Sequence, residues 1–172
     1  IPVTLLSTPL CIDPKGNEGL NPQKTEPTNP LYSLDKQTSS LVYYDKNTIV
    51  LTMPYWVKFT NSSVEDSEVK KHSFVLSYDP EAMTASDTKL KLYISHVVED
   101  AGETVTRSNF TYAYRAYSIR AALAAFKEKT GKLPKYLELT AEINNSKDEL
   151  VDKYGKETSV ERSVEYDYAF TE

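Results

Sequence analysis

Few side chains in this sequence are of the types that catalysis or metal binding requires. His72 and His96 are the only histidines, and Cys11 is the only cysteine. Neither histidine belongs to an HxH or HExxH pattern, so the spacing expected of zinc ligands is absent. We therefore predict that both histidines are structural and that the protein binds no metal ion and no other cofactor.

The sequence also offers little for covalent or acid–base catalysis. The residues of a Ser-His-Asp triad come together only in the folded protein, so the sequence leaves the possibility of a triad open. No Gly-x-Ser-x-Gly elbow occurs, however. Carboxylate pairs such as Glu99–Asp100 and Asp148–Glu149 are of the kind a glycosidase uses, yet charged loop residues are usually solvated. The loop from Asp13 to Gly19 lacks the acidic spacing of a calcium site. We predict no catalytic residues and a protein that is not an enzyme.

Aromatic side chains are the remaining candidates for a binding site. The sequence contains 13 Tyr, 5 Phe and 1 Trp. Exposed rings can stack on sugars, but strand alternation turns about half of them into a core. The rings that we predict to be buried together are Phe110, Tyr112, Tyr114, Tyr166 and Tyr168, with a sugar platform as the open alternative. The rings that we predict to form a ligand surface are Tyr55 and Trp56.

Composition restricts the class of protein. The 172 residues include 20 Lys and Arg against 25 Asp and Glu, which gives a net charge of -5. This acidic balance, without a dense basic run, argues against nucleic acid or an anionic membrane surface as the partner. No apolar run approaches the roughly 20 residues that cross a bilayer, so we predict no transmembrane segment.

Strands dominate the part of the chain that follows residue 40. Alternation with a period of two is clearest for Leu90, Leu92 and Ile94, which lie on one face opposite Lys89 and Lys91. The other segments with strand character are Thr48 to Thr60, His72 to Tyr78, Phe110 to Tyr114, Leu133 to Ile143 and Ser159 to Phe170.

One helix interrupts these strands. Ile119, Ala122, Leu123 and Phe126 give an apolar stripe with helical spacing. Ser118 is suited to cap the helix at its start and Gly131 to end it. Because strands and helices do not alternate regularly, the pattern predicts an all-β fold: an antiparallel β-sandwich with one short helical insertion and an N-terminal arm.

The first forty residues differ in composition from the rest of the chain. Six of the nine prolines fall within residues 1–30, and few apolar residues lie between Asp13 and Pro30. We predict a strand from Ile1 to Ile12 and a Pro-rich arm, which together form a unit of residues 1–40 in front of a sandwich domain of residues 41–172. Because the chain starts at Ile1 rather than Met, we expect this strand to be the last piece of an upstream domain.

Several of the strands resemble a known family. The segments that carry the resemblance are His72 to Asp79 (HSFVLSYD), Leu90 to His96 (LKLYISH), Tyr112 to Tyr117 running into the helix, and Ser163 to Tyr166. Over residues 45–170 they resemble the C-terminal domain of the NigD-like proteins of Bacteroidetes. The resemblance implies an envelope lipoprotein in which an OB-type barrel precedes a β-sandwich, so that residues 1–40 would contain a remnant of the barrel. It implies no enzymatic activity and no catalytic residues.

Together these observations predict a non-catalytic binding or assembly module of a bacterial cell-envelope lipoprotein of the NigD-like type. The resemblance implies export to the periplasm or to an outer-membrane-anchored surface, with an envelope protein or a glycan as the partner. Two alternatives remain open: a carbohydrate-binding module, and a fimbrial or adhesin subunit in which Ile1 to Ile12 would pair with a neighbouring subunit.

Overall fold

A computed structural model of the chain describes residues 10–11, 29–37, 39–145 and 158–166. Within these residues the chain forms ten strands and two helices. The strands are β1 (Leu10–Cys11), β2 (Ser40–Asp45), β3 (Thr48–Val57), β4 (Phe59–Thr60), β5 (Ser63–Val64), β6 (His72–Ser77), β7 (Lys89–Val98), β8 (Asn109–Ser118), β9 (Tyr136–Ile143) and β10 (Thr158–Glu165). The helices are α1 (Asp66–Val69) and α2 (Arg120–Thr130).

The strands form two four-stranded sheets, and a short β4–β5 hairpin stands apart from them. The first sheet has the order β1-β8-β3-β2 and the second the order β10-β9-β7-β6. This arrangement confirms the prediction of an all-β sandwich with a helical insertion. Most pairs are antiparallel, but β1–β8 and β7–β9 are parallel. The chain reaches β9 only after crossing to β8 in the other sheet and passing through α2, so no tight hairpin forces β7 and β9 to be antiparallel.

The core lies between the two sheets and is filled by alternate residues of their long strands. Strand β3 contributes Ile49, Leu51 and Met53, and the second sheet contributes the predicted set of Leu90, Leu92 and Ile94. The segment from His72 to Tyr78 also alternates, since Phe74, Leu76 and Tyr78 are buried and Ser73 and Val75 are exposed. Period-two patterning therefore identified the buried face of the second sheet correctly.

Helix α2 is confirmed close to its predicted position. Ala122, Leu123 and Phe126 are buried, and Gly131 ends the helix with a left-handed φ of 74° while its N–H donates to the Lys127 carbonyl. The predicted cap at Ser118 is wrong. Ser118 is still the last residue of β8, paired with Thr48 of β3, so the cap position falls on Ile119, which offers no polar side chain.

The described part of the N-terminal region packs against both sheets. Leu10 and Cys11 pair in parallel with the end of β8, whereas the rest of the predicted strand and most of the predicted arm lie outside the described residues. Residues 29–34, which we call the joining segment, then connect the sheets. The Leu31 N–H donates to the Glu142 carbonyl of β9, and the Tyr32 N–H donates to the Pro54 carbonyl of β3.

Membrane insertion through a helix has no support in the described part of the chain. Neither α1 nor α2 has the length and apolar character of a helix that crosses a bilayer.

Candidate functional site

The two residues predicted as a ligand surface are not exposed. Tyr55 and Trp56 are only 2% and 3% accessible, so the prediction of an exposed surface at these rings is wrong. Tyr55 points into the core, where its ring centroid lies 5.0 Å from that of Phe74. Trp56 points to the outside of the first sheet but is covered there by Tyr32, and its indole N–H donates to the Asn144 carbonyl at 2.7 Å.

The rings of β8 lie on the opposite side from the one predicted. Phe110, Tyr112 and Tyr114 are 37%, 42% and 59% accessible, so the prediction that they are buried together is wrong. The alternation is present but reversed, because Ala113 and Tyr117 take the inward positions of the strand. Tyr166 is buried as predicted, and Tyr168 lies outside the described residues.

These rings belong to a continuous surface on the outside of the first sheet, which we call the aromatic face. Strand register groups its side chains into four rungs, two across β2, β3 and β8 and two across β3 and β8 alone. Pro54, Trp56 and Ala116 are buried within them, and the other members are exposed or half-buried. The rungs are Val42–Val50–Ala116, Ser40–Thr52–Tyr114, Pro54–Tyr112 and Trp56–Phe110. The hydroxyl of Ser40 donates to that of Thr52 at 2.9 Å, which places both side chains on the same side of the sheet.

One end of the aromatic face is a packed cluster of rings. The Tyr32 ring stacks on Phe110 with a centroid distance of 4.3 Å and an interplanar angle of 14°, and it meets Trp56 edge-on at 5.1 Å. Tyr112 stands nearly perpendicular to Phe110, at 82°. Phe110 is therefore covered on one side and acts as a support, while Tyr112 and Tyr114 present the most accessible rings of β8.

The aromatic face is uncharged. None of the ten residues in its four rungs is acidic or basic, although 26% of the whole chain is charged. Two charged side chains lie nearby. Arg115 of β8 lies over the buried Phe74 ring at 5.4 Å, on the inner side of the sheet. Asp45 pairs with Thr48 beyond the Val42–Val50–Ala116 rung, so it borders the face at the β2–β3 turn, where its carboxylate accepts the Asn47 N–H at 2.7 Å. Apolar rings and hydroxyl groups are thus the chemistry that this surface offers.

A second feature is a buried pair of histidines, which the sequence did not predict as neighbours. His72 Nδ1 lies 2.9 Å from His96 Nε2, and the rings stack at 5.1 Å between β6 and β7. His72 Nε2 lies 3.3 Å from a Glu68 carboxylate oxygen, and His96 Nδ1 lies 3.4 Å from the Pro30 carbonyl. Strands β6 and β7 are consecutive in the sequence. Predicting that they pair as a hairpin would have predicted that the two histidines are neighbours.

An ion-pair network continues from the histidines. Arg107 donates to Glu68 Oε1 from Nε at 2.7 Å, and it donates to both oxygens of Asp100 at 2.6 and 2.8 Å. Glu68 belongs to α1, whereas Asp100 and Arg107 lie between β7 and β8. All three side chains are buried. The network therefore holds α1 and the β7–β8 connection against the start of β6. No sequence motif predicted it.

Burial decides the protonation of these groups. Desolvation, with a smaller contribution from the neighbouring His72, lowers the pKa of His96 to about 3. Burial also lowers the pKa of His72, despite its hydrogen bond to Glu68. Burial alone would raise the pKa of Glu68, but hydrogen bonds from Arg107 and the Lys58 N–H outweigh it, so this carboxyl has a lowered pKa. At neutral pH the network contains neutral histidines and an ionised Glu68.

The histidine network is built as structure rather than as an open site. Both imidazoles are buried, and each ring nitrogen of the pair faces a protein atom. Within the described ranges, no three His, Cys, Asp or Glu side chains are arranged to hold a metal ion. Of the two features, only the aromatic face is open to a ligand.

Three solved structures are similar to this chain, and one of them is similar enough in sequence and fold to be informative. A provisionally named lipoprotein of Bacteroides fragilis is 26% identical to this chain, with a TM-score of 0.71 over 94% of this chain and 70% of that one. A protein of unknown function from Bacteroides vulgatus is 10% identical, with a TM-score of 0.42 over 86% of this chain and 54% of that one. An uncharacterised protein of Parabacteroides merdae is 11% identical, with a TM-score of 0.48 over 91% of this chain and 65% of that one.

No protein-family model and no curated protein match the sequence. None of the three solved structures carries the name of an enzyme. Over nearly its whole length, the chain is similar in sequence and in fold to a Bacteroides protein described as a lipoprotein.

Proposed function

We propose that this protein is a non-catalytic binding or assembly module of a Bacteroidetes cell-envelope lipoprotein, of the NigD-like type that its strands resemble. The observation that carries the proposal is the likeness to the Bacteroides fragilis lipoprotein, which spans 94% of this chain at 26% identity. The module is exported, and it works at the periplasmic or outer surface of the envelope.

The proposal of a non-catalytic role is supported by the state of the ionisable groups. General acids and bases must reach the proton that they transfer. His72 and His96 are buried and contact protein atoms. The carboxylates of Glu68 and Asp100 accept hydrogen bonds from Arg107. Removing one partner of a buried ion pair is strongly destabilising, which is consistent with a structural role for these groups.

A carbohydrate-binding module is the second candidate, and the aromatic face favours it. The largest apolar patch on a single domain is often a functional surface, and the aromatic face is such a patch with several exposed rings. The fimbrial alternative is less favoured, because Leu10 and Cys11 of the proposed donor strand already pair with β8 of their own chain.

Cell fractionation with an antibody against this domain tests the proposal. In the native cells we expect the protein in the membrane fraction, released by detergent and labelled by radioactive palmitate. A cytosolic and an outer-membrane protein serve as markers. Recovery with the cytosolic marker would refute the envelope role, and membrane recovery without palmitate label would refute the lipoprotein assignment. Release of reducing ends from polysaccharides by the purified chain would refute the non-catalytic assignment.

A further inference from the structure

We propose that the aromatic face binds an uncharged glycan, with Tyr112 and Tyr114 of β8 as the rings that contact it. The proposal deepens the function proposed above, and it rests on that function for the place where the glycan is met. It commits to one class of ligand, a neutral polysaccharide or oligosaccharide chain lying along the strand.

The absence of charge on the aromatic face selects the ligand class. A surface that recognises nucleic acid, an anionic lipid headgroup or an acidic sugar presents Lys or Arg side chains. The four rungs present none, and Arg115 points inward from the same strand to lie over Phe74. Electrostatic complementarity therefore favours a ligand without charge.

The hydroxyl groups of the exposed tyrosines argue for a polar ligand rather than an apolar one. Three other tyrosines, each buried or half-buried, use their phenol groups inside the fold: Tyr43, Tyr117 and Tyr166 donate to the carbonyls of Glu165, Phe74 and Lys46. Within the described ranges, the phenol groups of Tyr112 and Tyr114 make no such bond. A ring with an available hydroxyl matches a sugar, which presents an apolar C–H face and a rim of hydroxyl groups.

The size of the aromatic face argues against a second copy of the chain or another large protein. Four rungs at strand spacing measure roughly 24 Å by 10–14 Å. Because Pro54, Trp56 and Ala116 within these rungs are buried, the accessible area is smaller than about 300 Å². A stable protein interface buries about 800 Å² on each partner. The face is long and narrow, which suits a chain-like ligand that crosses it in a single pass.

The support beneath these rings is rigid before any ligand arrives. Tyr32 stacks on Phe110, and the Trp56 indole is anchored to the Asn144 carbonyl at 2.7 Å. Phe110 in turn meets Tyr112 edge-on at 5.9 Å, which fixes one side of the exposed ring. A preformed surface loses little conformational entropy on binding, so a few ring contacts are sufficient for measurable affinity.

Affinity electrophoresis of the full chain tests the proposal. The gels contain neutral polysaccharides (mixed-linkage glucan, xyloglucan, galactomannan and starch) or acidic ones (polygalacturonate and chondroitin sulfate). We expect at least one neutral polysaccharide to retard the protein and neither acidic one to do so. Tyr112→Ala and Tyr114→Ala should each weaken the retention constant by about tenfold or more, as expected when a central ring is lost from a binding surface.

Tyr136→Ala is the matched control, because Tyr136 is similarly exposed but belongs to β9 of the other sheet. We expect it to bind like the wild type. Thermal unfolding of each variant separates lost binding from lost folding. No retention by any neutral gel, retention by acidic gels alone, or unchanged retention of the Tyr112 and Tyr114 variants would overturn the proposal. A dimer in sedimentation that dissociates in Tyr114→Ala would overturn it in favour of a second copy.

The experiment separates this inference from the proposed function. Retention that depends on Tyr112 supports the glycan site even if fractionation places the protein in the cytosol. Envelope localisation without retention leaves the proposed function standing and refutes the glycan site.

Discussion

His72 Nδ1 and His96 Nε2 lie 2.9 Å apart in the interior, and the two imidazoles form a bridge from the Glu68 carboxylate to the Pro30 carbonyl. Three hydrogen bonds along this bridge would need three protons, whereas two neutral imidazoles supply two. Because the lowered pKa values keep both rings neutral at pH 7, the bridge is one proton short of full hydrogen bonding. Burial outweighs the gain that the additional hydrogen bond would bring.

Stability should fall on acidification because of this pair. In the unfolded chain a histidine has a pKa near 6.5, whereas burial lowers the pKa of His96 in the fold to about 3. Between these values the unfolded state binds more protons, so the free energy of unfolding should decrease as the pH falls from about 6.5, by at most about 1.4 kcal/mol per pH unit for each histidine. Glu68 has a pKa below the ordinary value of 4.5. Its protonation therefore lowers the free energy of unfolding further only when the pH falls below about 4.5.

Urea unfolding between pH 4.5 and 8 measures this dependence. His96→Gln removes one titrating group while keeping a polar side chain, and it should flatten the curve between pH 5 and 6.5 whatever its effect on absolute stability. A wild-type free energy of unfolding that stays constant from pH 7 to pH 5 would contradict the assignment of two neutral buried histidines.

Arg107→Met should be among the most destabilising single changes. It leaves the carboxylates of Glu68 and Asp100 buried beside an apolar side chain, and loss of one member of a buried ion pair costs about 3–5 kcal/mol. Lys71→Met is the matched control. Lys71 is a third exposed and lies 3.7 Å from Asp100, so its loss should cost less than about 1 kcal/mol. Equal destabilisation of the two variants in urea unfolding would argue against the buried network.

Tyr112→Ala and Tyr117→Ala should have very different effects although both residues lie on β8. Tyr117 is fully buried and donates to the Phe74 carbonyl, so its truncation should cost about 3–5 kcal/mol. Tyr112 is 42% exposed, and its truncation should cost about 1 kcal/mol or less. Thermal or urea unfolding of the two variants measures the difference. A comparable loss of stability in both variants would contradict the prediction.

Gly131→Ala should destabilise the protein through backbone strain alone. Gly131 has a φ of 74°, and no atom lies within 4 Å of the position that a Cβ would take. An L-residue in this left-handed conformation costs roughly 1–2 kcal/mol. Gly131→Asn should cost less, since asparagine tolerates the left-handed region. A loss of several kcal/mol in the alanine variant would point to a clash that the structure does not contain.

Local patterns were sufficient wherever the buried face of a segment could be recognised from its own residues. Leu90, Leu92 and Ile94 alternate with lysines, so their strand could face only one way. The end of α2 was equally local, because Gly131 alone can take the left-handed position at low cost. The β-rich class and helix α2 followed from such segments, whereas the four-residue helix α1 did not.

The direction of β8 was not a local property. Both sides of this strand contain apolar residues, and the side with larger rings gave the stronger hydrophobic signal for the core. In the folded chain Ala113 pairs with Met53, where the space between the sheets is already filled by large side chains, so a small residue fits inside and the rings turn outward. The orientation of β8 therefore depends on how Ala113 and Tyr117 pack against the rest of the core, which the residues of the strand alone do not reveal.

The histidine bridge and its ion pairs depend on tertiary structure for a different reason. Glu68 and His72 are only four residues apart, but His96 lies 24 residues beyond His72, and Arg107 joins them from a separate connection. The sequence by itself determined that these groups were too few and too dispersed for a recognisable metal or catalytic motif. Only the pairing of β6 with β7 and the folding of α1 against them brought the charges together, because a buried charge is tolerated only where partners from distant segments meet it.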